Sequence, residues 1–195
     1  QVIEQQPDLK IVDASRGISL IRDEHGHENA HIWVSVSLAM KQVQNIADQL
    51  AELDVRNGPA YQENASRYIK ELERLKEEMR ETIAQLPNKD IITFHEAFPY
   101  FADEFGLNIV AVVEREPGSE PSAAELAAAI KLIRQSGVKA IFVEPQYSTK
   151  AARTIARETG IEVYTLDPAV TGADDPGAYI EIMRSNLRVL VEALS

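Results

Sequence analysis

Four polar residues follow short apolar runs in the second half of this chain. They are His95 after residues 90–94, Glu114 (with Arg115) after 108–113, Glu144 after 140–143 and Asp167 after 162–166. Upstream, His31 precedes Ile32 and Trp33, and His25 and His27 lie in an acidic stretch, residues 23–28. Imidazole nitrogen and carboxylate oxygen, without thiols, are donors that suit a borderline divalent cation such as Zn²⁺ and can close a tetrahedral site. Each residue also has a plainer use. His95 can cap a helix or satisfy a hydrogen bond, His31 can pack as an aromatic neighbour of Trp33, and His25 and His27 can be solvated loop residues. Asp167 and Glu144 both precede proline and can shape turns. No Ser/His/Asp order, no His-Glu-x-x-His pair and no glycine-rich phosphate loop accompanies them, and residues 116–121 read as a turn of the wrong charge for phosphate.

Those positions matter because of the elements that carry them. Residues 90–94, 108–113, 140–143 and 162–166 read as strands. They alternate with helices over 96–105 (despite Pro99), 122–136, 148–159 and from 175 or 176 to 194, two of which end at Gly137 and Gly160. Four βα units with short apolar strands predict an α/β fold with a parallel sheet covered on both faces. In such sheets ligands bind outside the carboxyl ends of the strands, where His95, Glu114, Glu144 and Asp167 fall.

The central element is the stretch from Gly58 to Leu86. Tyr61, Ala65, Tyr68, Leu72, Leu75, Met79, Ile83 and Leu86 recur at spacings of three and four and draw one apolar stripe. Asn57-Gly58 can cap the start, Pro59 suits the first turn, and Pro87-Asn88 stops it. At 1.5 Å per residue this helix is roughly 40 Å long, a strut between two lobes or a coiled-coil arm. Ahead of it, 35–53 reads as an amphipathic helix with Leu38, Val43, Ile46, Ala47, Leu50 and Leu53 inward. Residues 10–14 and 18–21 read as two short strands joined by a turn. The division that follows is 1–56, the end of an N-terminal lobe with its histidine loop; 57–87, the linking helix; and 88–195, a C-terminal α/β lobe.

The chain has 195 residues and a net charge of −11, which argues against nucleic acid and anionic membrane surfaces as partners. There is no cysteine, so disulfides, thiolate zinc sites and cysteine nucleophiles are excluded. No stretch is apolar and long enough to span a bilayer. The start at Gln1 and the lack of a signal peptide lead us to expect a processed or truncated product.

Five segments in order resemble the TroA-like solute-binding proteins, the metal receptors of ABC transporters. Asn29-Ala30-His31-Ile32-Trp33 is similar to their Asn-Pro-His-x-Trp segment. Tyr61, Asn64 and Ala65, with Leu72 and Leu75, resemble the start of their backbone helix. His95-Glu96-Ala97-Phe98 with Tyr100 and Phe101 is similar to the histidine segment of the zinc-selective branch, and Glu144-Pro145-Gln146 and Leu166-Asp167-Pro168 match two later segments. The likeness runs from about Lys10 to the C-terminus.

That resemblance implies two α/β lobes joined by a long helix, with the metal between them. It implies His31, His95 and Asp167 as metal ligands, the residue at the His95 position being glutamate in manganese-binding members. Glu144 is implied as a support for the ligands, and residues 23–28 as a small counterpart of the histidine-rich loop. The cargo it implies is Zn²⁺, with Mn²⁺ as the alternative. The partner is an ABC transporter permease, with the protein in the periplasm or on the outer face of the cytoplasmic membrane, and a lipid anchor in the full-length protein is compatible with this. It implies no enzyme.

Ala30 departs from the usual proline. The first half of the N-terminal lobe, which supplies the first histidine ligand, is also missing. The fourth coordination position would then fall to water, an anion, His25 or His27. Two other readings stay open: a metal-dependent hydrolase with Glu144 or Glu114 as general base, and a manganese-selective receptor or adhesin of the same family.

Overall fold

The computed structural model describes residues 5–6, 8–22, 26–113, 121–146 and 148–195. Its centre is a four-stranded sheet, wholly parallel, of β1 (Asp90–Thr93), β2 (Asn108–Val112), β3 (Ala140–Val143) and β4 (Glu162–Thr165), in the order β2-β1-β3-β4. The two inner strands are the most deeply buried, because only they are flanked by strands on both sides. Ile91, Ile92, Ala140 and Ile141 are fully buried.

Alternation along those strands sends side chains to two cores. Ile91, Ala140 and Phe142 face one layer, whereas Ile92, Ile141 and Val143 face the other. The second layer is built by α4 (Ala123–Ser136) and α5 (Lys150–Thr159). Ser122 closes a capping box with Glu125 at the start of α4. Gly137 and Gly160 end the two helices at φ +70° and +77°, a conformation that costs glycine nothing.

The first layer holds the long helix. Helix α2 (Gly58–Ala84) is unbroken, and at 27 residues is about 40 Å long. Its stripe of Ala65, Leu72, Leu75, Met79 and Ile83 is buried, as the spacing predicts. The last four of these pack against the sheet and against α6 (Ala178–Leu194) through Met183, Leu187 and Leu190. Asn57 makes no side-chain cap bond; its amide donates instead to Asp54. Helix α1 (Val36–Leu53) packs along the first part of α2, with Ser35 accepting from Leu38 N as its cap. Its buried residues are Val36, Ala39 and Ala47, and the expected inward residues Ile46 and Leu53 are exposed. Val34 and Val36 join the same core as Phe98 and Phe101, so the segment around His31 is packed directly onto the sheet layer.

Two expectations need correction. The helix expected over 96–105 is α3 (Pro99–Phe105). Pro99 opens it rather than interrupting it, since a first-turn residue needs no N–H, and so His95 and Glu96 sit in the preceding turn. Residues 10–14 and 18–21 form no strands. Among the described residues α1 side chains bond the backbone of residues 13–17 (Gln49 to Asp13, Asn45 to Ala14 and Arg16, Lys41 to Gly17), and Ile21 N donates to the Tyr100 hydroxyl. With these groups taken and no adjacent strand, alternation alone makes no ladder. Among the described residues the one bridge here is antiparallel, Arg22 with Glu28.

Candidate metal site

His31 and His95 come from distant parts of the chain and meet edge to face, ring centroids 4.9 Å apart. His31 stands at the start of a 3-10 turn, Ile32–Val34, and His95 in the turn after β1. Trp33 lies 5.3 Å from the His31 ring, so the aromatic-neighbour reading and the pairing with His95 both hold in one arrangement.

The hydrogen bonds decide which nitrogen of each ring carries the lone pair. His95 Nδ1 is 2.9 Å from Glu144 Oε1. A carboxylate accepts and does not donate, so the hydrogen is on Nδ1 and, in the neutral ring, the lone pair is on Nε2. The second oxygen of Glu144 accepts from Gln146 Nε2 at 2.7 Å, and Glu144 is only 3% exposed.

His31 has the same polarity from a neutral partner. Its Nδ1 is 2.9 Å from Asn29 Oδ1. That amide is oriented by two backbone groups: Oδ1 also accepts from His31 N, and Nδ2 donates to Glu96 O at 2.7 Å. Both imidazoles are therefore held as Nε2 donors, the arrangement a metal-binding histidine needs. Burial, and next the neighbouring His95, push the His31 pKa down, partly offset by the Glu144 charge. Its neutral, metal-competent form is favoured.

Asp167 lies just beyond β4, in a separate polar environment. Its Oδ1 accepts from Ala169 N at 2.8 Å, and Asn186 on α6 bonds its backbone twice, accepting from Asp167 N and donating to Asp167 O. Ala169 is at φ +57°, a left-handed conformation that alanine rarely adopts. Trp33 Nε1 donates to Pro168 O at 2.7 Å, bringing this turn against the His31 segment. Among the described residues no three histidine and acidic side chains stand together as a closed metal site. The pair His31–His95 is assembled, and Asp167 is placed at the same sheet edge with its turn tied to Trp33. His25, Glu114 and the 116–121 turn proposed from sequence fall wholly or largely on residues outside the described set.

The model of the family described as zinc-uptake complex component A, periplasmic, matches residues 1–193. The chain belongs to the ZnuA family. It is 36% identical over 201 residues, covering 94% of the chain, to the high-affinity zinc uptake system protein ZnuA of Bacillus subtilis. It spans 63% of that relative's length. A crystal structure of ZnuA superposes over the whole chain and 73% of its own, with a TM-score of 0.87 at 32% identity. The laminin-binding protein Lmb of Streptococcus agalactiae, described as bifunctional with adhesin and metal transporting activity, covers 94% of this chain and 70% of its own. Its TM-score is 0.84 and its identity 33%. The α/β architecture with a four-stranded parallel sheet is thus that of the ZnuA solute-binding proteins.

Several contributors to the candidate site escaped the sequence reading. Asn29 was legible: an asparagine two residues ahead of a histidine is the spacing of an Asx turn. Asn186 was legible too, as one polar residue inside the apolar face formed by Met183, Leu187 and Leu190, where it is 2% exposed. Nothing local marks the Trp33–Pro168 bond.

Proposed function

We propose that the chain is the metal-capturing part of an extracytoplasmic solute-binding protein. In this reading it takes up a divalent cation, zinc before manganese, for delivery to an ABC permease. The observation that carries the reading is the pair of facing imidazoles, each held through Nδ1 so that Nε2 is the donor. Nitrogen donors gain affinity along the divalent series toward zinc, whereas manganese prefers oxygen.

His31 and His95 are the nitrogen ligands in this reading and Asp167 the carboxylate. A shift of Asp167 on binding would bring its oxygen to the metal, and the remaining position falls to a further donor, solvent or His27. The division at 56/57 and 87/88 separates the His31-bearing part, the strut and the sheet lobe. The names of the relatives support a binding module rather than an enzyme. The family description supports the periplasm, with the outer face of the cytoplasmic membrane as the alternative if the full-length protein is lipid-anchored. Among the described residues no helix is long and apolar enough to cross a membrane.

Calorimetric competition of Zn²⁺ against Mn²⁺ tests the reading. The parent chain prefers zinc, and His95→Glu moves the preference toward manganese. Zinc binding unchanged in both His31→Ala and His95→Ala would remove the site from this pair.

A further inference from the structure

Trp33 is the only tryptophan in the chain, and its indole N–H is committed to Pro168 O, 135 residues away. Its own carbonyl accepts from Tyr179 Oη at 2.8 Å. Tyr179 and Asn186 both belong to α6, and Asn186 holds the backbone of Asp167 from two sides. One helix thus anchors the His31 and Asp167 segments, and the indole bond joins those two segments directly. The turn so fixed contains the one non-glycine residue at positive φ among the described residues, Ala169. Such strain persists only where the surroundings over-determine it, and it concentrates at functional sites.

We infer that Trp33 is a positioning residue for Asp167: its indole N–H holds the Asp167–Pro168–Ala169 turn against the His31 segment, at the sheet edge from which the carboxylate would reach the metal. This rests on the reading of Asp167 as a zinc ligand. In this reading Trp33 is not itself a ligand. It acts on the ligand through the backbone of the next residue.

The test is a double-mutant cycle on the 195-residue chain, with Zn²⁺ as the probe. Trp33→Phe keeps an aromatic ring, smaller than the indole, and removes the N–H. Asp167→Asn keeps the acceptor for Ala169 N and removes the charge. We expect Trp33→Phe to weaken zinc binding roughly 10-fold in the parent, within the range for loss of a ligand-orienting partner. In the Asp167→Asn background it should cost less than about 2-fold, because a residue acting through Asp167 has nothing left to position. Equal costs in both backgrounds, or no cost in the parent, overturn the inference.

A metal-free measurement keeps the two claims apart. Amide exchange at Ala169 should quicken in Trp33→Phe. If Asp167→Asn leaves zinc affinity untouched, the ligand assignment fails, and Ala169 exchange alone then decides whether Trp33 holds the turn. Unchanged exchange overturns the inference whatever the zinc data show.

Discussion

The Glu144 carboxylate, 3% exposed, lies 2.9 Å from Nδ1 of His95, with Gln146 bonded to its other oxygen. A buried carboxylate placed there fixes the ring orientation and makes Nε2 a better donor. Replacing Glu144 by Gln removes the charge with little change of shape. We expect zinc affinity to fall about 10–100-fold, the usual effect of losing such a partner, with the fold retained. Isothermal calorimetry, with circular dichroism as the fold control, checks it. An unchanged affinity would leave Glu144 a packing residue.

Protons should act on His31. Its folded pKa lies below the ordinary value of 6.5, chiefly through burial and then through His95. The unfolded chain therefore takes up a proton there more readily than the folded one. The stability associated with neutral His31 is fully present above about 6.5 and is lost as the pH falls through the lower folded value. Urea unfolding of the metal-free chain at about pH 7.5 and about pH 5.5 should show a larger loss for the parent than for His31→Gln. Zinc binding should weaken in the same direction, because the metal competes with the proton for the imidazole.

Glu104 of α3 gathers the start of α1. It accepts from the hydroxyls of Ser35 and Ser37 and from Ser37 N at 3.0 Å. A carboxylate there satisfies otherwise unpaired N-terminal donors and complements the helix dipole. Glu104→Ala should cost about 1–3 kcal/mol in urea unfolding, and Ser37→Ala about 0.5–1.5 kcal/mol. Because this joint sits just after His31, zinc affinity should fall with Glu104→Ala as well. Equal stability of the two variants would show that the charge adds nothing.

Ala169 offers a test of opposite sign. Glycine meets φ +57° without the penalty that alanine carries. Ala169→Gly should therefore match or exceed the parent in stability, by up to about 1 kcal/mol, since relief of strain offsets the greater entropy of the unfolded chain. A clear loss of stability would mean that the conformation carries no strain.

The periodicities were legible because they are local. The stripe from Ala65 to Ile83 predicted an unbroken helix, and four apolar runs separated by helical segments predicted a parallel sheet, both as observed. The same rule misread residues 10–14 and 18–21. Alternation there is real, but a strand needs a neighbouring backbone, and Asn45 and Gln49 of α1 in the first stretch and Tyr100 in the second take groups a ladder would use.

His31 and His95 were identified as residues of the right chemistry, with a resemblance to place them. What they do to each other was not written in either segment. Their approach to 4.9 Å, the tie of His95 to Glu144 across 49 residues and that of Trp33 to Pro168 across 135 depend on how α1, α2 and α6 pack on the sheet. By itself the sequence determined the elements, the donor types and the sheet edge at which they gather, since side-chain periodicity and strand polarity act over a few residues. Only the tertiary structure decided which nitrogen of each imidazole is the donor and which turn Trp33 holds. A hydrogen bond requires its partners within about 3 Å, a distance that long-range packing sets and local spacing does not.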